Sequence, residues 1–257
     1  MLTQANMQSL LRVITAQPAL NAAVSALWQP AFEPNNSLVE DLVGGLDFTR
    51  VLTGDGNAQL NETGLGGALV GARGMRTTEL SDSTWALGAA GDCNIGAATA
   101  FVFGGIFWPE LRPTGLRSWL AKWDDGVVNA PGYRYRLNTD DGTVDLRIQD
   151  TAGTAVTATI ANENHIGQPH PFVGGRSITN NIISMCTELG RATAASGALG
   201  SLSTTALLRM AQVSAGAVVC GMTGSIGHLW FATDAVAEAL LGEDLAICAA
   251  FAGLLGN

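Results

Sequence analysis

The chain has 257 residues, 47% hydrophobic and 14% charged, with a net charge of -9; that length suits one large all-β sandwich with extensions, or two small domains. Thirteen basic residues, with Lys122 as the sole lysine, stand against 22 acidic ones, which speaks against nucleic acid as a partner because phosphate binding needs a basic patch. No apolar run reaches the roughly 18 residues of a membrane span, and Cys93, Cys186, Cys220 and Cys248 form no C-x-x-C pair, which speaks against a zinc site.

Residues 1–36 are expected to be an N-terminal helical arm and linker. Met7, Leu10, Leu11 and Ile14 recur at i, i+3, i+4 and i+7, one face of a helix. Leu20, Ala23, Val24 and Leu27 form a second stripe after Pro18, closed by Trp28 and Pro30. The arm packs either on its own domain or on a neighbouring subunit, and periodicity does not separate the two. Met1 to Ala16 mixes Gln, Asn and Arg12 with single apolar residues, unlike a signal peptide. Synthesis in a cytoplasm without export through a standard signal is the expectation.

From Ser37 onward short strands alternate with Gly, Asn, Asp and Thr turns, the pattern of a sandwich or barrel. The clearest hairpin runs from Tyr133 to Ile148. Tyr133, Tyr135 and Leu137 alternate with Arg134 and Arg136, and after Asp140-Asp141-Gly142 the residues Val144, Leu146 and Ile148 alternate with Asp145 and Arg147. One face is therefore buried and the other wet, and the wet face is expected to make cross-strand charge pairs. A second hairpin is expected from Ala155 to Ile160. Thr233 or Asp234 can cap a helix over Ala235 to Leu241, stopped by Gly242. Residues 242–257 follow as an apolar C-terminal extension.

Five segments, in order, resemble the concanavalin A-like and laminin G-like β-sandwich superfamily. They are Ala100 to Trp108, Ser118 to Asp124, the pair Tyr133 to Leu137 and Val144 to Gln149, Ile182 to Cys186 with Glu188-Leu189-Gly190, and Gly221 to Phe231 followed by Asp234 to Leu240. The resemblance covers roughly 38–241. It implies an all-β jelly-roll sandwich of two antiparallel sheets over residues 37–241. Lectins, adhesion modules, glycoside hydrolases and viral particle proteins share this architecture, so the fold does not settle the function.

A retaining glycosidase needs two carboxylates about 5 Å apart across a cleft, and the hydrolase branch supplies them as Glu-x-Asp-x-x-Glu. No such run occurs; Glu40-Asp41, Asp124-Asp125 and Asp140-Asp141 are adjacent pairs in turns. Ser225 lies in Thr223-Gly224-Ser225-Ile226-Gly227, which lacks the first glycine of a nucleophile elbow. His165, His170 and His228 read as structural imidazoles. No cofactor is demanded. Calcium is the cation the resemblance implies, with Asp124, Asp125 and Asn129 as candidate ligands. For a glycan, Trp119, Trp123 and Tyr133 are the candidate stacking aromatics; four residues apart in a strand, the two tryptophans are expected to share a face.

Sparse charge, apolar ends and no catalytic constellation favour a non-enzymatic structural component of a phage-like particle, such as a capsid decoration, head-fibre or tail subunit. Its expected partners are copies of itself, other particle subunits and cell-surface glycan. Met7, Leu10, Leu11, Ile14, Leu254 and Leu255 are the expected subunit contacts, and the virion is the expected location after assembly. The alternative is a carbohydrate-binding lectin-type module outside a virion, and a third class is a glycoside hydrolase.

Overall fold

The computed structural model describes residues 24–28, 37–52, 59–62, 73–78, 84–111, 117–124, 127, 129–137, 143–161, 165–210 and 223–255. Their strands form two antiparallel sheets. The first has the order β14 (Gly190–Ala195), β13 (Ile182–Thr187), β12 (His170–Ser177), β7 (Phe101–Pro109), β16 (Gly224–Thr233), β5 (Arg73–Thr77) and β4 (Gln59–Glu62), and β1 (Ala26–Trp28) also pairs with β16. The second has the order β11 (Ala155–Ile160), β10 (Val144–Gln149), β9 (Gly132–Leu137), β8 (Arg117–Lys122), β15 (Arg209–Met210), β6 (Thr84–Leu87), β3 (Phe48–Val51) and β2 (Leu38–Val39).

Period-two alternation sends Phe101, Phe103 and Phe107 of the first sheet and Tyr133, Tyr135, Leu146 and Ile148 of the second into one shared core. Phe107 stacks on Trp119 with ring centroids 4.2 Å apart, and Trp119 meets Phe172 edge-on at 4.4 Å. The two strands expected of the Tyr133–Ile148 hairpin pair antiparallel, with Tyr133 opposite Ile148 and Leu137 opposite Val144. The expected second hairpin does not form. Residues 155–160 are one continuous strand paired along its length with β10, because six residues cannot supply two strands and a turn.

A second apolar layer covers the outer face of the first sheet. Helix α1 (Asp234–Gly242) and helix α2 (Asp244–Leu255) follow β16 directly. Ile247, Cys248, Phe251 and Leu255 recur at helical spacing and bury against Val102, Val173, Cys186 and Trp230. Asp244 accepts from Ser184 Oγ at 3.0 Å and from Arg191 Nε at 2.7 Å, which ties α2 to the β13–β14 hairpin. The residues after 241, expected as a subunit fastener, are therefore part of the domain. Leu255 is buried against its own sheet, which corrects its assignment as a subunit contact; Leu254 lies in the last turn of α2.

The N-terminal expectation also changes where it can be followed. Residues 26–28 form a strand against β16, with Ala26 opposite Phe231 and Trp28 opposite Leu229. Ala26 and Trp28 are buried and Leu27 is half-buried, a period of two. Pairing with a long buried strand overrides the helical spacing. Met7, Leu10, Leu11 and Ile14 lie outside the described residues.

Strand β16 carries a bulge between Gly227 and Trp230. There His228 adopts a left-handed φ of 45° and its ring meets Phe251 of α2 at 5.2 Å. Burial pulls its pKa from 6.5 down to about 4. Between those values the unfolded chain binds the proton and the folded chain does not, so this group's contribution is full above pH 6.5 and is lost as the pH falls towards about 4. The expected loss is on the order of 3 kcal/mol. Urea midpoints at about pH 7 and about pH 4.5 measure it. His228→Asn tolerates the left-handed backbone and does not titrate, so it should flatten the slope; an unchanged slope would assign the acid sensitivity elsewhere.

Candidate functional site

Three loops meet at one end of the sandwich: 88–100 between β6 and β7, 123–131 between β8 and β9, and 196–208 before β15. Described residues of these loops line an open pocket of about 390 Å³: Asn94, Asp124, Val127, Ala130, Pro131, Ser203, Thr204 and Thr205. The lining mixes amide, carboxylate and hydroxyl side chains with small apolar ones. That combination can hold a polyol: hydroxyls hydrogen-bond to the amide, carboxylate and hydroxyls while the C–H face rests on apolar atoms.

The loops are strapped to one another. Leu202 N donates to Ile95 O at 2.9 Å, Thr204 N to Asn94 Oδ1 at 3.2 Å, and Gly200 N to Asp150 Oδ2 at 2.9 Å. Two buried cations hold them from inside. Lys122 Nζ, on the inner face of β8, donates to Ala90 O at 2.8 Å and Ala206 O at 2.7 Å. Arg176, on the inner face of β12, donates through Nη2 to Gly96 O at 2.6 Å and Thr99 O at 2.7 Å, and through Nη1 to Gly200 O at 3.3 Å. Each side chain therefore bridges the 88–100 loop to the 196–208 loop, one from each sheet. Burial lowers the Lys122 pKa to about 8, leaving it mostly protonated near neutrality. Tyr133 Oη adds a bond to Cys93 O at 3.0 Å.

The expected stacking aromatics are placed differently. Trp119 and Tyr133 are wholly buried in the shared core and offer no face to a ligand, so both assignments are corrected. A bulge between Ser118 and Leu120 breaks the alternation of β8. Trp119 consequently points inward while Trp123 reaches the outer side, so the two do not share a face. The Trp123 ring is itself covered: the Arg134 guanidinium lies 4.5 Å from its centroid and that of Arg147 lies 5.7 Å away. It serves as a cation–π platform for arginine.

Of the expected calcium ligands, Asp124 lines the cavity, and Asp125 lies outside the described residues. Asn129 packs its amide against Gly153, whose added Cβ would sit 3.0 Å from Asn129 Cγ. Among the described residues no three His, Cys, Asp or Glu side chains gather to hold a metal ion. Among the described residues, one carboxylate and scattered hydroxyls do not make the six or more oxygens of a calcium site.

The outer face of the second sheet adjoins the cavity through Trp123 and Asp124. Across it, Arg147 of β10 stands directly opposite Arg134 of β9, Arg134 opposite Ala121 of β8, and Ala121 opposite Arg209 of β15. One rung along, Arg136 grips Asp145 in a bidentate pair at 2.6 and 2.8 Å. Burial pushes the Asp145 carboxyl up against the opposing pull of Arg136, Arg134 and Arg147. A second cavity, about 530 Å³, lies beside α2 and is lined by Thr187, Glu188, Leu245, Ala249 and Ala252; its wall is mostly aliphatic. Next to it His170 Nδ1 pairs with Glu188 Oε1 at 2.5 Å, and His165 Nε2 lies 3.2 Å from Thr187 Oγ1.

No protein-family model matches the chain, and no curated protein matches it. Solved structures do. The binding domain of Paraclostridial Mosquitocidal Protein 1 superposes with a TM-score of 0.60 at 9% identity, over 85% of this chain and 51% of that one. The binding domain of botulinum neurotoxin serotype G gives 0.61 at 6% identity, over 84% and 50%. A Trypanosoma rangeli sialidase in complex with the inhibitor DANA gives 0.54 at 13% identity, over 91% and 38%. The chain thus has a concanavalin A-like β-sandwich fold. It spans about half the length of the two toxin binding domains it matches.

Proposed function

We propose that this chain is a non-enzymatic, lectin-type carbohydrate-binding sandwich that takes a glycan in the cavity formed by loops 88–100, 123–131 and 196–208. The observation that carries this is the mixed lining itself: the polar residues Asn94, Asp124, Ser203, Thr204 and Thr205 share the pocket with Val127, Ala130 and Pro131. Buried cations at Lys122 and Arg176 pre-set the walls, so little ordering cost falls on binding. Among the described residues Asp124 is the single titratable group of that lining, which supports binding over hydrolysis, since general acid–base cleavage needs a second converging group. Two of the fold neighbours are named as binding domains, in keeping with a recognition role.

The phage-particle expectation gains no support from these neighbours, and the C-terminal segment it cast as a fastener is packed on its own sheet. The carbohydrate-binding alternative is the one the geometry favours. Asp124→Ala should weaken glycan binding by about 1.5–3 kcal/mol, about tenfold or more, because a charged acceptor is lost. Calorimetric titration with the strongest ligand from a glycan array measures it, with thermal melting as the folding control. Unchanged affinity in a folded Asp124→Ala protein would move the site elsewhere.

A further inference from the structure

The outward positions of β9 and β10 carry Arg134, Arg136, Arg147 and a single acid, Asp145. That is an excess of two positive charges on two neighbouring strands of a chain whose net charge is -9. Arg136 and Asp145 satisfy one another. Arg134 and Arg147 face each other in direct cross-strand register, and like charges so placed destabilise a sheet. Trp123 beneath them offsets part of that cost. Arg147 bonds Gln149 Oε1 at 3.3 Å, and its Nε is buried with no hydrogen-bond partner among the described residues. Asp145 draws on both guanidiniums as well as on Arg136, so one carboxylate serves three arginines across these two strands; an anion bridging Arg134 and Arg147 matches that excess, because each guanidinium is a planar fork that fits a carboxylate or sulfate.

We infer that the glycan is acidic: its carboxylate or sulfate sits between Arg134 and Arg147 while its neutral part enters the cavity at Asp124. This rests on the carbohydrate-binding reading and names the ligand class of that site. The arginine pair lies over Trp123, and the next residue, Asp124, lines the cavity. The row Arg147–Arg134–Ala121–Arg209 crosses four strands, a stripe of about 14 Å at a strand spacing of about 4.8 Å. Nucleic acid fits less well: an excess of two charges on an acidic chain is far from the six or more phosphate contacts of a typical binder.

The test uses the full chain and the probes lactose, sulfolactose, sialyllactose and a single-stranded oligonucleotide, alongside an array of neutral and acidic glycans. Acidic glycans should bind and their neutral counterparts should bind at least about tenfold more weakly. Affinity should fall as salt rises. Arg147→Gln should remove the preference for acidic ligands while leaving the melting temperature equal or higher, since it relieves a like-charge pair; a purely structural arginine would lower it. Sulfolactose and sialyllactose separate sulfate from carboxylate as the anion. Equal binding of neutral and acidic glycans, unaffected by Arg147→Gln, would overturn the inference and leave the carbohydrate site standing. Oligonucleotide binding as tight as that of any glycan would also overturn it. Binding of no glycan at all would remove both readings.

Discussion

Replacing Arg176 with methionine is expected to destabilise the fold by on the order of 3–5 kcal/mol, a large part of a typical domain's 5–15 kcal/mol. The side chain is 1% exposed, and its guanidinium serves the carbonyls of Gly96, Thr99 and Gly200 together. Methionine fills similar space but leaves those acceptors without their donors, and each buried unpaired polar group costs about 1–3 kcal/mol. Arg176→Lys should recover only part of the loss, because a point charge cannot reach three carbonyls in a fixed fork. The same carbonyls shape the cavity loops, so ligand affinity should fall with stability. Urea unfolding of the two variants measures the effect. A loss under about 1 kcal/mol for Arg176→Met would mean that water replaces the guanidinium and that the loops need no such brace.

The second large effect is expected at Gly104, in the centre of β7. The Trp230 indole lies flat over this position, and a Cβ there would overlap its Cζ2 and Cε2 atoms. Trp230 is wholly buried between the sheet and the helices, so it cannot swing away without displacing α2. Gly104→Ala should therefore cost about 3 kcal/mol, at the upper end of overpacking penalties. Combining it with Trp230→Leu should cost less than the sum of the two single changes, since the smaller side chain makes room for the methyl. Thermal melts of the four proteins in the cycle test this. Strict additivity would show that the clash relaxes through the backbone instead.

Much of the sandwich was legible in the residues. Tyr133 to Ile148 alternates cleanly around a turn, so the inward and outward positions of both strands follow from a period of two. The run from Phe101 through Trp108 was legible as a strand, and Asp234 with Gly242 marked the helix that covers it. Short or interrupted elements were not legible. Three residues, Ala26 to Trp28, are too few to outweigh the helical spacing of Val24 and Leu27, and only the pairing with β16 decides between them. The bulge in β8 is invisible to a periodic reading, and it alone puts Trp119 and Trp123 on opposite sides. The site was partly legible: Asp124 was singled out for calcium and lines the cavity instead. Lys122 and Arg176 gave one signal, each a lone cation in an apolar run, yet their carbonyl partners come from loops distant in sequence. The outer face of the Tyr133–Ile148 hairpin was expected to be wet and to pair charges; Arg136 does pair with Asp145, but both are buried there. That Arg134 would oppose Arg147 depended on the register through the turn.

Amide chemical-shift mapping of isotope-labelled protein against the strongest array ligand tests the central claim most directly. Shifts centred on Asn94, Asp124, Ser203 and Thr204, extending to Arg134 and Arg147, are the predicted result. Shifts confined to Leu245, Ala249 and Ala252 beside α2, or none at saturating ligand, would contradict it.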